Sequence, residues 1–331
     1  MSDMRLDVVG LGNAIVDVLA KVTDDSILDD HGLVKGSMRL CDEAEAGALY
    51  AAMPPGIERS GGSVANTMVG IASFGGRAGF VGKIRDDQLG TVFTHDIRAA
   101  GVEFQATPAP SGPGTGRCLV LISTDAQRTM STALGIAGQL SPADVPPDVV
   151  RSADTAFLEG YLWEEPHAKQ AMLRAMELAK EAGKKVAFTL SDPFCVERNR
   201  AEFVELVERS VDIVFANETE ICSLFQTESF EEALGRVRSM VDVAALTRGE
   251  KGSVLVQGDR VEEVPAVPAD VVDTTGAGDL YAAGVLFGLA RDLDLRIVGQ
   301  LGSAAAAEVI SHVGARPEQP LDRLAAEILG A

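Results

Sequence analysis

From Ser152 to Val256 the chain alternates short apolar runs with amphipathic stretches, and this rhythm limits what it can fold into. Thr155 to Leu158, Lys185 to Leu190, Val211 to Ala216, Val243 to Thr247 and Ser253 to Val256 read as strands. His167 to Glu181, with Ala171, Met172, Ala175, Met176 and Ala179 on one face, reads as a helix. So do Glu197 to Ser210, Asn217 to Gln226 and Phe230 to Met240. Units of this length imply an α/β fold, a central mostly parallel sheet with helices on both faces. Ligands in such folds bind beyond the carboxyl ends of the strands. Three polar loops fall there: Leu190-Ser191-Asp192-Pro193, Asn217-Glu218-Thr219-Glu220 and Thr247-Arg248-Gly249. Asn217 is a good N-cap, and an acidic first turn is ordinary dipole complementarity. A carboxylate beside a triphosphate can also hold Mg²⁺ through water.

Further on, Asp273-Thr274-Thr275-Gly276-Ala277-Gly278-Asp279 runs into the apolar, helical Leu280 to Leu289. That arrangement gathers unpaired N–H groups and the positive end of a helix dipole at one spot, which favours an anion. Gly276 and Gly278 leave room for close approach. A carboxylate at the same mouth would repel a phosphate, unless Asp279 takes a proton from the hydroxyl that attacks it. An N-capped helix after a tight turn would use the same residues.

The amino-terminal half is more mixed. Asp7 to Leu11 reads as a buried strand ending in Gly12-Asn13, and Gly10-x-Gly12 suggests a dinucleotide fingerprint. Its third glycine position holds Ile15, and Ile15 to Val22 alternates like a second strand, which argues against NAD binding. Asn13 and Asp17 suit either turn chemistry and solvent or a pair that hydrogen-bonds a sugar or a base. A helix near Cys41 to Met53 stops at Pro54-Pro55-Gly56. Gly61-Gly62-Ser63 opens another, with Val64, Met68, Ile71 and Ala72 at helical spacing and Asn66 one turn in. The glycine pair reads as a lid hinge or a tight turn. Gly79 to Ile84 reads as a strand, and a helix follows to about Ala100. Val102 to Ser123 reads as β-structure broken by a mobile, glycine- and proline-rich surface loop at 108–116. Asp125-Ala126-Gln127-Arg128 reads as a turn that leaves Arg128 as a cation near a candidate active-site wall.

Composition narrows the chemistry. The 331 residues are 46% hydrophobic, enough for a large core, and the net charge of −20 opposes nucleic-acid binding. It does not oppose ATP, because a local nest of N–H groups and Mg²⁺ outweighs a distant surface. Cys41, Cys118, Cys195 and Cys222 lie far apart, so reduced, cytoplasmic cysteines are expected, with neither zinc nor disulfides. The start of the sequence lacks a signal peptide's apolar run, and no segment is long enough to span a bilayer. The four histidines form no metal-ligand pattern.

Together these pieces resemble the ribokinase-like (PfkB) family of carbohydrate and nucleoside kinases over essentially the full length. Two signatures carry the likeness: Gly61-Gly62-Ser63-x-x-Asn66 through Gly75-Gly76 to Gly90, and Asp273 to Asp279 with its helix. The Asn217-x-x-Glu220 element supports them. The resemblance implies one kinase domain over residues 1–331, with a small β-rich lid from segments of about 14–50 and 102–130. It implies Asp279 as the base, and an anion hole from Gly276, Ala277, Gly278 and Asp279 that with Asn217, Thr247, Arg248 and Gly249 receives ATP. It further implies Mg²⁺ organised by Glu220 and Asn217, and a monovalent cation such as K⁺ at Asp273 and Thr275, completed by carbonyls near Ile310 to Arg316.

Within the family, the adenosine-phosphorylating branch is the nearest likeness. Asn13, Asp17, Gly61, Gly62, Ser63 and Asn66 match its substrate-binding positions, and Arg128 matches a lid arginine that meets the phosphates. Tyr161 and Trp163 are candidates for stacking on the base, and core packing accounts for them equally. The alternative is a kinase of a free sugar of the ribose or fructose type. A non-catalytic regulator on this fold is opposed by the intact Asp279 and glycines. Monomer and homodimer are both compatible with the resemblance.

Overall fold

The computed structural model describes residues 5–125 and 127–330. Met1 to Met4, and Ala126 of the expected turn, lie outside the described residues. The strands are β1 (Leu6–Leu11), β2 (Ile15–Lys21), β3 (Met38–Leu40), β4 (Ile57–Gly61), β5 (Ala78–Val81), β6 (Glu103–Phe104) and β7 (Gly116–Ile122). They continue with β8 (Arg128–Ala133), β9 (Ala153–Glu159), β10 (Lys185–Thr189), β11 (Ile213–Asn217), β12 (Val243–Thr247), β13 (Ser253–Gln257) and β14 (Arg260–Val264).

Nine strands form one sheet, in the order β14-β13-β12-β11-β10-β9-β1-β5-β6. From β12 to β6 it is parallel, while β13 and β14 fold back antiparallel at one edge. The period of two divides its side chains between two cores. Val186, Phe188, Val214 and Ala216 enter one, with the helices Pro166–Glu181 and Pro193–Ser210. Ala187, Ile213 and Phe215 enter the other, with Ser63–Ser73, Ala277–Leu289 and Leu295–Ile310. The fold is thus α/β, with a mostly parallel central sheet between layers of helices.

Five strands form a separate sheet, in the order β3-β8-β7-β2-β4. Val18, Leu119 and Leu121 pack on one of its faces with Ala46 and Leu49 of the helix Glu43–Ala52. The opposite face carries Ile15, Cys118, Val120 and Ile122. Arg128 opens β8, which pairs antiparallel with β7, and so does not lie in a turn. The 108–116 segment is tied down: Asp87 accepts hydrogen bonds from the N–H and hydroxyl of Thr115, and Glu43 accepts from the Gly114 N–H. No helix among the described residues is long and apolar enough to cross a membrane.

Candidate active site

Asp279 lies in the first turn of the helix Ala277–Leu289, whose N-cap Gly276 has φ 81°. A side chain at Gly276 would be strained there and would also meet Ala315. The opening N–H groups of this helix have no intrahelical acceptors. A Cβ added at Gly278 would meet nothing within 4 Å, so this turn is open beside Gly278, while the Ala277 N–H donates to the Thr274 carbonyl (3.3 Å). Asp279 Oδ1 accepts from the Ser63 hydroxyl (2.6 Å) and Oδ2 from Asn66 Nδ2 (2.9 Å). Burial raises its pKa, and the bonds from Ser63 and Asn66 and the charge of Arg316 oppose that rise. A carboxylate whose pKa is raised in this way is a stronger base than an exposed one.

The first turn of Ser63–Ser73 meets the end of β1 through Glu159, the last residue of β9. Glu159 Oε1 accepts from the Asn13 backbone N–H and from Nδ2 (both 2.9 Å), and Oε2 accepts from the Val64 N–H (3.1 Å). Burial pushes Glu159 up to about 7, against the pull of the hydrogen bonds from Asn13 and Val64. Gly62, at φ 97°, runs against the Asn13 carbonyl so closely that a Cβ would collide with it. Asp17 projects from β2 against Gly61. Burial pushes it to about 7 despite Arg316 and Arg128. Asn13, Asp17, Gly62, Ser63, Asn66, Arg128 and Asp279 thus line one cavity of about 1360 Å³.

Arg128 crosses from the small sheet to the anion loop. Its Nη1 donates to Thr275 Oγ1 (3.0 Å), and its guanidinium pairs with Asp273 where both are nearly buried. Asp273 also accepts from the N–H groups of Thr275 (3.1 Å) and Gly314 (2.8 Å). The side chains expected to hold a monovalent cation are therefore committed to a guanidinium and to backbone donors. In this arrangement a monovalent cation would compete with Arg128 for Asp273.

The residues expected on the nucleotide side stand at the ends of β11 and β12, where Asn217 and Thr247 are in register. Asn217 and Glu220 form a reciprocal capping box: Asn217 Oδ1 accepts from the Glu220 N–H (2.8 Å), and the Glu220 carboxylate accepts from the Asn217 N–H (2.9 Å) and Nδ2 (2.6 Å). Burial pushes Glu220 to about 7, opposed by the Asn217 N–H and reinforced by Asp192. Among the described residues no cluster of three acidic, histidine or cysteine ligands could hold a metal directly. Glu220 fits Mg²⁺ only as an anion reached through water, the ion being carried by phosphates. Arg248 donates to Glu218 (2.8 Å) and lies over the Phe230 ring (3.8 Å). Asn217, Glu220, Thr247, Arg248 and Gly249 do not line the large cavity.

Tyr161 lines that cavity and its hydroxyl donates to the Ser191 carbonyl (3.3 Å). Trp163 packs edge-on against Phe203, and its ring N–H donates to Glu202, so it serves the core. The same cavity is lined by Ile15, Leu19, Val120 and Met130 of the small sheet and by Leu134 just after it.

Residues 56–321 match the model of the pfkB family of carbohydrate kinases. This chain belongs to that family. Over 98% of its length it is 47% identical to the adenosine kinase from Sinorhizobium meliloti, covering 99% of that structure with a TM-score of 0.91. It is 44% identical to a structure described as a "probable sugar kinase protein" from Rhizobium etli, covering 99% of each chain with a TM-score of 0.92. Among curated proteins it is 26% identical to "Probable fructokinase-3" of Arabidopsis thaliana over 84% of each chain. The PfkB kinase is accordingly an ATP-using phosphotransferase for a small nucleoside or sugar.

Two site residues of this kinase escape a reading of the sequence. Glu159 follows an apolar strand run and precedes Gly160, and a carboxylate at the end of a central strand was a usable signal. Arg316 carries no such mark: it comes from the tail and donates through Nε to Asn66 Oδ1 (3.0 Å).

Proposed function

We propose that this kinase transfers the γ-phosphoryl group of ATP to the 5′-hydroxyl of adenosine, giving AMP and ADP. The observation that carries the reading is a cavity lined by both polar and apolar groups. Asp17, Ser63, Asn66 and Asp279 offer hydroxyl-binding contacts, and Ile15, Leu19, Val120, Met130 and Leu134 with Tyr161 add an apolar surface. A purine uses an apolar wall of that kind, and a free sugar does not. The 47% identity to an adenosine kinase supports the same substrate.

In this mechanism Asp17, Gly62 and Asn66 hold the ribose so that its 5′-oxygen points at Asp279. Asp279 accepts the hydroxyl proton as that oxygen attacks the γ-phosphorus and ADP leaves in line. The N–H groups of Gly276, Ala277, Gly278 and Asp279 hold the charge on the transferring group, and Arg128 turns from Asp273 to the phosphates. Bound Mg²⁺ supplies further neutralisation of phosphate charge. The five-stranded sheet acts as the lid that excludes water. The 44% identity to a structure described as a sugar kinase favours the alternative, a ribose- or fructose-type acceptor.

The test is ADP release with ATP and Mg²⁺ against adenosine, inosine, guanosine, ribose, fructose and fructose phosphates. Burying a base is worth about 3 to 4 kcal/mol, so kcat/KM for adenosine should exceed that for ribose by about 100-fold or more. Preference for a free sugar would overturn the adenosine assignment and leave the base and anion hole in place.

A further inference from the structure

We propose that Arg316 is a positioning residue, which orients the Asn66 amide toward Asp279 and holds a positive charge beside that carboxylate. The inference rests on Asp279 being the base of the phosphotransfer proposed above. Arg316 follows Gly314-Ala315 after the helix Leu295–Ile310, and this short segment is anchored on the anion loop. The Gly314 N–H donates to Asp273 (2.8 Å), and Ala315 packs where a side chain at Gly276 would lie.

From that anchor a directed chain runs to the base. Arg316 Nε donates to Asn66 Oδ1 (3.0 Å), Asn66 Nδ2 donates to Asp279 Oδ2 (2.9 Å), and the Ser63 hydroxyl donates to Oδ1 (2.6 Å). A primary amide has one oxygen and one NH₂. Because a guanidinium can only donate, it must face the oxygen, and the NH₂ must then face Asp279. Without Arg316 the amide could turn over and set its oxygen against the carboxylate.

The charge acts in the same direction. The groups around Arg316 are Asp17 on β2, Arg59 on β4, Asp96 on the helix Gln88–Ala99, and Asp279 itself. Those around Asp279 are Ser63, Asn66 and Arg316, with Asp17, Glu159 and Tyr161 within electrostatic reach. Burial lowers Arg316 to about 10, so it stays protonated across the working range, and it favours the ionised form of Asp279. Its Nη2 is buried without a hydrogen-bond partner, so the side chain is not fully used in holding the fold.

The test compares Arg316→Met and Arg316→Lys with the parent enzyme. For Arg316→Met, kcat should fall about 10- to 100-fold with KM for ATP within twofold, as expected when a base is misaligned. Its acid limb should also move to higher pH. Arg316→Lys restores the charge and the position of the limb, but not the fork geometry, so kcat stays reduced. Independently of turnover, the carboxyl ¹³C titration of Asp279, assigned with Asp279→Asn, should show a higher midpoint in Arg316→Met than in the parent. A purely structural arginine would lower the melting temperature without moving that midpoint. An unmoved midpoint, or kcat within twofold of the parent, overturns the proposal. If Arg316→Met does not fold, Arg316→Lys decides: reduced kcat with an unmoved limb supports the role, and unreduced kcat ends it. Should the parent phosphorylate no acceptor tested, the function proposed above fails, while the titration still decides the role of Arg316.

Discussion

A carboxylate at the mouth of a helix proposed to hold an anion is an electrostatic conflict, and Asp279 carries it at a cost the structure limits. Burial works against its charge, and donors from Ser63 and Asn66 work for it. The balance suits a group that must be ionised before the reaction and protonated after it. Asp279→Asn keeps the size of the side chain and removes the basic oxygen. We expect it to fold and to bind ATP within a few-fold of the parent, while kcat drops by about 10² to 10⁴-fold. Steady-state rates with calorimetric ATP titration check this, and activity within a few-fold of the parent would remove Asp279 from the base role. Ser63→Ala tests the tuning. Losing that donor raises the Asp279 pKa, so the ionised base appears only at higher pH. The rate should therefore fall more at pH 6 than at pH 8, and a pH–rate profile with an unmoved acid limb would contradict the assignment.

Between elements, the contact that matters joins the two sheets. Arg128 on β8 reaches Asp273 before the helix Ala277–Leu289, and both side chains are nearly shielded from water. Removing one member of such a pair strands the other charge, which costs about 3 to 5 kcal/mol when burial is complete. Arg128→Met should lose up to about that much stability, and adding Asp273→Asn should recover part of it. Urea midpoints of the two single variants and the double variant measure the coupling, and additive losses would show that the pair contributes nothing. This contact also marks where the sequence stops being readable. The strands β9 to β13 and the helices between them show plainly as periodic apolar patterns. The anion loop shows because its backbone geometry demands glycine at Gly276. By contrast β4 (IERSG), β8 (RTMSTA) and β14 (RVEEV) are short and polar, and β4 and β14 are sheet edges. β4 pairs with the distant β2, and β8 and β14 with the strands just before them, but all three are too short and polar for the local pattern to mark them. Arg316 shows the same limit for a side chain: its partner Asn66 lies 250 residues away.

Across the whole molecule, the buried acids make stability depend on pH in an unusual sense. Asp17, Glu159 and Glu220 are each pushed to about 7, mainly by burial, from ordinary values near 4. A carboxyl with a higher pKa in the folded chain than in the unfolded one binds its proton more tightly when folded. Its contribution is complete below the unfolded value and is lost as pH rises through about 7. Acids held low by partners, such as Asp144 and Asp154, act with the opposite sign, so a single melting curve mixes the two. A difference isolates one group. The parent minus Glu159→Gln should show a stability term that declines between about pH 4.5 and 7, on the order of 3 kcal/mol. The net charge of −20 adds repulsion that grows over the same range, but salt screens it at the surface far more than it screens a buried carboxylate. Chemical denaturation of both proteins from pH 5 to 8, at low and high salt, separates the contributions. The Glu159 term should survive high salt, and a pH-independent difference would mean that Glu159 ionises as readily in the folded chain as in the unfolded one.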